Sequence, residues 1–189
     1  MDQERVWIEQ ALRGDRAAFN QVVRAYERPV YNLTYRMLGD PVEAEDAAQE
    51  TFVRAYTRLA TYDPKRKFVN WILSIASHHC IDRLRRRARR PQVSLEGAFT
   101  PSLLPSNSPR PDEVLSKKQE RDHVRALLDD LSPSYRTAVV LRYWYDYSYE
   151  EIAEIMDTTV SAIKSRLHRA RRAMAAALET SVPVAGGGE

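Results

Sequence analysis

The sequence predicts an all-α protein: two small helical domains joined by a Pro-rich flexible linker. Three observations carry this. Apolar residues in the patterned stretches recur every three or four positions, and no segment alternates with the period of two that a strand needs. Five of the ten prolines crowd into Pro91, Pro101, Pro105, Pro109 and Pro111, among Ser, Asn and Gly, where no helix survives. The 189 residues suit one or two domains, and a domain this small has a core only marginally large enough. The expected limits are 1–90 for the front domain, 91–112 for the linker, 113–178 for the back domain and 179–189 for a disordered tail.

In the front domain a short helix over 3–13 stops near Gly14, and Asp15 caps the next. Phe19, Val22, Val23, Tyr26, Val30, Leu33 and Met37 form one buried stripe on that second helix, with a kink or break expected at Pro29. Gly39 ends it. Asp40 caps a third helix, with Pro41 in its first turn and Glu43 three residues beyond the cap. Ala44, Ala47, Ala48, Phe52, Tyr56 and Leu59 form its stripe. Asp63-Pro64 breaks the chain before a fourth helix over 68–90, with Phe68, Ile72, Ile75, Ala76 and Leu84 apolar. The back domain begins with a helix over 113–130. Ser132-Pro133 opens another through Tyr145, and Ser148 with Glu151 forms a capping box for a third. A short break at 157–159 precedes a last helix over 160–178, with Ile163, Leu167, Ala170 and Met174 inward.

Charge is segregated along the chain. Residues 61–91 carry nine Lys/Arg against two Asp, and residues 158–178 carry five Lys/Arg and no acid. Residues 121–157 carry four Arg against eight acids. Two basic blocks on a chain of net charge +3 point to two contacts with a polyanion. The charged N-terminus is not a secretory signal, and no apolar run spans a bilayer. A lone Cys80 excludes a disulfide framework. These features imply a cytoplasmic protein with no membrane contact of its own. His78, His79, His123 and His168 lack metal-ligand spacing, and there is no glycine-rich phosphate loop. Neither an enzyme nor a cofactor is expected.

Three surfaces stand out. Ser148 to Met174 reads as a helix-turn-helix, with Ile152, Ala153, Ile155, Ile163 and Leu167 packed between its helices. Its second helix turns Ser161, Ala162, Lys164, Ser165, Arg166, His168, Arg169 and Arg172 outward, side chains suited to base edges and phosphates. In the front domain, Tyr62, Lys65, Arg66 and Lys67 lead into Phe68, Asn70 and Trp71. Aromatic rings beside cations suit single-stranded DNA, although Trp71 also fits a core position. The third surface is acidic: Glu43, Glu45, Asp46, Gln49 and Glu50 lie away from most of the third helix's apolar stripe and suit protein docking.

Together these residues resemble the extracytoplasmic-function (ECF) sigma factors of the sigma-70 superfamily (group 4). Glu45-Asp46-Ala47-Ala48-Gln49-Glu50-Thr51-Phe52 is similar to the family's polymerase-docking helix. Phe68-Val69-Asn70-Trp71-Ile72 with Ile81-Asp82-Arg83-Leu84-Arg85-Arg86 is similar to its −10 element helix, and Tyr149–Ile155 with Lys164–Arg171 to its −35 helix-turn-helix. The resemblance makes 1–90 sigma domain 2 and 113–178 sigma domain 4. It implies that Asp46, Gln49, Glu50 and Phe52 contact the clamp coiled coil of the largest subunit of core RNA polymerase. The loop 61–67 and the helix after it, with Tyr62, Lys65, Arg66, Lys67, Asn70, Trp71, His78, Arg83, Arg86 and Arg87, would hold single-stranded −10 DNA. Residues 160–172 would enter the double-stranded −35 element, with domain 4 near the polymerase flap. The linker would thread toward the active-site channel, no further domain is expected after the last helix, and an anti-sigma factor is implied as a partner. The chain departs from the family at His78 (usually Asn), Ser161-Ala162 (usually Gly-Thr) and Asp157 (often Gly).

A promoter-binding repressor or activator would also use the helix-turn-helix, but it normally dimerises. It would leave the acidic helix and aromatic loop unexplained. A recombinase or nuclease would need a nucleophile or metal site that the sequence does not show.

Overall fold

A computed structural model describes residues 2–89 and 122–181, and among them there are helices and no strands. The expected linker 91–112, the expected start of the back domain at 113, Arg90 and residues 182–189 lie outside the described residues.

Helix α1 (Asp2–Leu12) turns through Gly14 at φ +94°. The Asp15 carboxylate then accepts from the amides of Ala17 at 2.8 Å and Ala18 at 3.1 Å, starting α2 (Arg16–Leu38). The helix continues through Pro29 without the expected break. A proline costs a helix one hydrogen bond, and here the buried row Tyr26, Val30, Leu33, Met37 holds both sides of it against the core. Gly39, at φ +78°, donates to the Tyr35 carbonyl and closes the helix. The Asp40 carboxylate accepts from the Glu43 amide at 2.8 Å and starts α3 (Pro41–Thr57). A 3-10 turn, Leu59–Thr61, leads through a loop into α4 (Phe68–Arg89).

In the back half, residues 122–129 are helical (α5). Helix α6 (Pro133–Tyr143) ends before the expected Tyr145. Ser132 stands at its N-cap, but there its backbone carbonyl accepts from the Tyr135 and Arg136 amides, each at 2.9 Å, and its side chain makes no capping bond. Helix α7 (Tyr149–Ile155) has both bonds of the capping box, Glu151 amide to Ser148 at 3.1 Å and Ser148 amide to Glu151 at 3.0 Å. Helix α8 (Val160–Ser181) passes the expected end at 178, into residues read from sequence as tail.

The front core gathers Phe19, Val22, Val30, Leu33 and Met37 of α2 with Ala47, Ala48 and Phe52 of α3 and Ile72, Leu73 and Ala76 of α4. The Thr34 hydroxyl, fully buried, donates to the Ala44 carbonyl at 2.8 Å and pins α2 to α3. Tyr56, expected in the buried stripe, is instead 41% exposed, its ring edge-on to Phe19 with centroids 4.9 Å apart. The back core gathers Val139, Leu141, Ile152, Ile155, Ile163, Leu167 and Ala170.

The two halves share one continuous apolar cluster, with α6 against α2 and α4, and α7 against α4. Sequence periodicity shows that a face is apolar and says nothing of what covers it. Arg136, only 5% exposed, donates to the Met37 carbonyl at 2.7 Å and to the Asp129 carbonyl at 2.9 Å, and pairs with the Asp129 carboxylate at 2.9 Å. Thr137 donates to the Met37 sulfur, and Tyr145 to the Pro29 carbonyl. The Arg36 guanidinium lies 4.7 Å from the Trp144 ring. A Cβ on Gly39 would meet the Arg125 side chain at 2.8 Å, so this position serves both the turn and the packing of the halves.

Arg136→Met should lower stability by about 1–3 kcal/mol in urea denaturation, because it leaves the buried Met37 carbonyl without a donor. Arg24→Ala, at an exposed position of α2, should stay within about 0.5 kcal/mol of wild type.

Candidate nucleic-acid and protein-docking interfaces

The loop before α4 is held in shape by its own atoms. The Tyr62 hydroxyl donates to the Arg66 carbonyl at 2.7 Å, and the Asp63 side chain and carbonyl accept from the Lys65 and Arg66 amides at 2.9 and 3.0 Å. Tyr62, Phe68 and Trp71 form a ring cluster, with centroids 5.1 to 5.4 Å apart. Phe68 is the core member, and it also touches Tyr26, whose hydroxyl donates to Glu4 of α1. Tyr62 and Trp71 are half-buried, so Trp71 combines a packing role with access from outside. Burial raises the Tyr62 phenol above its ordinary pKa and keeps it protonated. Lys65, Arg66 and Lys67 are exposed around these rings.

Asn70 differs from its neighbours. It is 2% exposed, its amide nitrogen donates to Glu154 of α7 at 2.8 Å, and its buried oxygen has no partner. Beside it Lys67 donates to Glu151 at 2.7 Å, and Arg66 lies 3.7 Å from Glu154. The Lys67–Glu151 hydrogen bond raises the pKa of Lys67 and lowers that of Glu151. The first helix of the helix-turn-helix thus lies over this part of the front domain.

The residues expected at the −10 element divide into two groups. Tyr62, Lys65, Arg66, Lys67, Asn70 and Trp71 gather at the start of α4. Arg83, Arg86 and Arg87 lie more than ten residues further along, about 18 Å at 1.5 Å per residue. There Arg83 is 4.0 Å from Glu43 and 3.9 Å from Asp46, and Arg87 is 3.9 Å from Glu43, so both face α3. Arg86 is exposed. His78, between the groups, is exposed with Nδ1 2.8 Å from the Ser74 carbonyl oxygen.

The outer face of α3 carries Asp46 and Gln49 exposed and Glu50 half-buried, with Glu50 accepting from Arg54 at 2.7 Å. Phe52 points the other way and lies 9% exposed in the core. Sequence reading missed Val42 and Val53, which are 68% and 58% exposed and join Asp46 and Gln49 in one outward row. Their spacing was visible, since positions 42, 46, 49 and 53 advance by four, three and four. Asp46, Gln49, Glu50, Val53, His79 and Arg83 line a groove between α3 and α4. His79 is half-buried there with no partner for Nε2, and burial, followed by the nearby Arg54 cation, lowers its pKa. Burial pushes the Cys80 thiol up to about 12, which leaves it a packing residue.

In the helix-turn-helix, Asp157 takes φ +46° and Thr158 donates to the Ala153 carbonyl at 2.9 Å. That left-handed backbone is a reason for glycine to be common at this turn. The Thr159 hydroxyl accepts from the Ala162 amide at 3.2 Å and starts α8. Ile163, Leu167 and Ala170 are buried, whereas Ser161, Lys164, Ser165, His168, Arg169 and Arg172 are exposed and Ala162 and Arg166 half-buried. Arg169 donates to the Tyr135 hydroxyl at 3.3 Å. Lys164, Arg166, Arg171 and Arg172 form no ion pair among the described residues. Nor do three His, Cys, Asp or Glu side chains converge there to hold a metal, and no described helix is long and apolar enough to cross a membrane.

The sequence matches Sigma-70 region 2 over residues 22–90 and Sigma-70, region 4, over residues 121–174. It is similar to the ECF RNA polymerase sigma factor SigW of Bacillus subtilis, with 36% identity over 88% of this chain and 92% of SigW. It is also similar to the RNA polymerase sigma-H factor of Pseudomonas aeruginosa, with 32% identity over 94% of this chain and 95% of that protein. The ECF RNA polymerase sigma-E factor of Escherichia coli is 31% identical over 90% of this chain and 92% of its own length. Among solved structures the fold is like that of CnrH in complex with the cytosolic domain of CnrY, with TM-score 0.69, 24% identity and coverage of 95% of this chain and 99% of that one. It is also like that of the sigma factor RpoE of Bartonella quintana, solved with the anti-sigma factor NepR, with TM-score 0.63, 24% identity and coverage of 87% and 98%.

The depressed His79 pKa has a signed consequence. The folded chain resists protonating this ring, so the stability it contributes is fully present above the ordinary imidazole value of about 6.5 and is lost as pH falls through the lower folded value. Urea midpoints measured at about pH 7.5 and pH 5.5 should fall less for His79→Gln than for wild type, since the variant has no ring to protonate.

Proposed function

We propose a division of labour for the surfaces of this chain, which belongs to the ECF sigma factors of RNA polymerase, within the sigma-70 family. A member of this family binds core RNA polymerase and directs transcription initiation at promoters. The chain does so as a binding factor and not as an enzyme, acting with the polymerase in the cytoplasm. Residues 1–90 serve as domain 2, 113–178 as domain 4 and 91–112 as the connection between them.

The outward face of α8 carries this reading. Lys164, Arg166 and Arg172 stand on one helix without carboxylate partners among the described residues, while Ile163 and Leu167 anchor the opposite face. A basic helix held this way can lie in a major groove, its Arg and Lys toward guanine edges and phosphates and its Ser toward either. The duplex −35 element is its proposed target. The loop from Tyr62 to Lys67, with Asn70 and Trp71, is assigned to single-stranded −10 DNA. Unstacked bases there find rings, and phosphates find Lys65, Arg66 and Lys67. The outward α3 row, with Asp46, Gln49 and Glu50 and now Val42 and Val53, is assigned to the clamp coiled coil of the largest polymerase subunit, and domain 4 to the flap region. Phe52 supports that row from beneath. An anti-sigma factor is a proposed partner, in keeping with the complex in which RpoE was solved with the anti-sigma factor NepR.

The deciding experiment combines the purified chain with bacterial core polymerase and fragmented genomic DNA of the source organism, and maps RNA 5′ ends. Chain-dependent starts that share one motif near −10 and one near −35 are expected. No such starts, with the core shown active by another sigma factor, would overturn the reading.

Two variants test the surfaces. Asp46→Arg/Glu50→Arg should weaken core binding by about tenfold or more, ~1.4 kcal/mol, with the helical circular dichroism unchanged, because Asp46 is exposed and Glu50 half-buried, and neither belongs to the core. Arg166→Ala should weaken −35 duplex binding by about 1–3 kcal/mol and relax selectivity at one base position, if its contact is bidentate.

A further inference from the structure

Helix α7 presents Glu150, Glu151 and Glu154 within a segment of net negative charge, and it lies across the most basic loop of the front half. Three contacts join them. Glu151 holds Lys67 at 2.7 Å, while one oxygen of Glu154 accepts from Asn70 at 2.8 Å and the other lies 3.7 Å from Arg66. Arg66, Lys67 and Asn70 are three of the six loop-end side chains assigned above to single-stranded DNA. Two carboxylates therefore occupy positions that phosphates and a base would need. The cover is one-sided, since Ser161, Lys164, Ser165, His168, Arg169 and Arg172 of α8 stay exposed in the same arrangement.

We propose that the acidic face of α7 is an intramolecular latch whose partner is the chain's own basic loop, and that it withholds the −10 surface while leaving the −35 surface open. The proposal rests on the assignment of residues 62–71 to single-stranded DNA. Carboxylate and phosphate compete for the same cations, so the loop takes up DNA only after the two halves part. The buried Asn70 oxygen without a partner fits a side chain incompletely satisfied in the closed form. Glu151 also caps α7 through Ser148, which places the latch at the rigid start of that helix. If about a tenth of the molecules are open, the apparent affinity for the −10 strand is lowered about tenfold.

The test uses the full chain and a fluorescent single-stranded oligonucleotide carrying the −10 motif from the mapped start sites. Glu151→Gln/Glu154→Arg keeps an acceptor for the α7 cap and sets a cation against Arg66 and Lys67. It should bind the strand about tenfold more tightly than wild type and show a larger radius of gyration in small-angle scattering. Glu151→Gln/Glu154→Gln should move both readouts in the same direction by a smaller factor. Tightening confined to the arginine variant would come from its added cation and would overturn the latch. Unchanged affinity and radius in both variants would also overturn it, and would leave the −10 assignment standing if Lys67→Glu still abolishes binding. If Lys67→Glu and Asn70→Ala bind as wild type does in every background, the −10 assignment itself fails and the latch with it.

Discussion

One buried cation joins the two halves. The last carbonyls of a helix have no partner inside it, and they form the negative end of its dipole. At the end of α2 that need is met from the other half of the chain, where Arg136 reaches the Met37 carbonyl while Asp129 balances its charge. Burial lowers the Arg136 pKa, and Asp129 opposes that shift. Removing either the carbonyl or the guanidinium would leave a buried polar group unsatisfied. Gly39, with no side chain, lets Arg125 approach the same helix end. The remaining contacts between the halves, Tyr145 on Pro29, Trp144 beneath Arg36 and α7 over the start of α4, depend on α6 being seated in this way.

That seating decides how charge is used. The front half offers a basic loop and an acidic helix on different elements, and the back half offers an acidic α7 and a basic α8. In the closed arrangement α7 meets the basic loop and leaves α8 uncovered. Arg83 and Arg87, part of the same basic run in sequence, face Glu43 and Asp46 of α3 instead. The basic block of residues 61–91 therefore serves two environments, one in the loop before α4 and one near its far end, because the helix between them carries its two ends to different neighbours. Mostly exposed pairs of this kind add little stability. They bias which surfaces meet, and they exchange readily for other charged partners.

Most of the helix pattern was legible from residue types alone. Asp15, Gly39, Asp40 and the Ser148–Glu151 box marked ends at which the backbone groups are in fact satisfied by those side chains or by that left-handed turn. The alternation of buried and exposed positions on α8 followed from Ile163, Leu167 and Ala170. The expectation failed where local rules met tertiary packing. A kink or break was expected at Pro29, and α2 does not break there, since buried residues on both sides carry the helix across it. Tyr56 fitted the α3 stripe and lies at its edge.

The sequence by itself determined the helices, the positions of their caps, the inward stripes and the two basic blocks, because each of these follows from interactions within a few residues of chain. It also carried the motif pattern that the family match bears out. Only the tertiary structure decided that Asn70 is buried, and that Glu151 and Glu154 lie on Lys67, Arg66 and Asn70. Those outcomes depend on residues more than eighty positions apart meeting through α6, and hydrophobic periodicity shows that a face will be covered without showing by what.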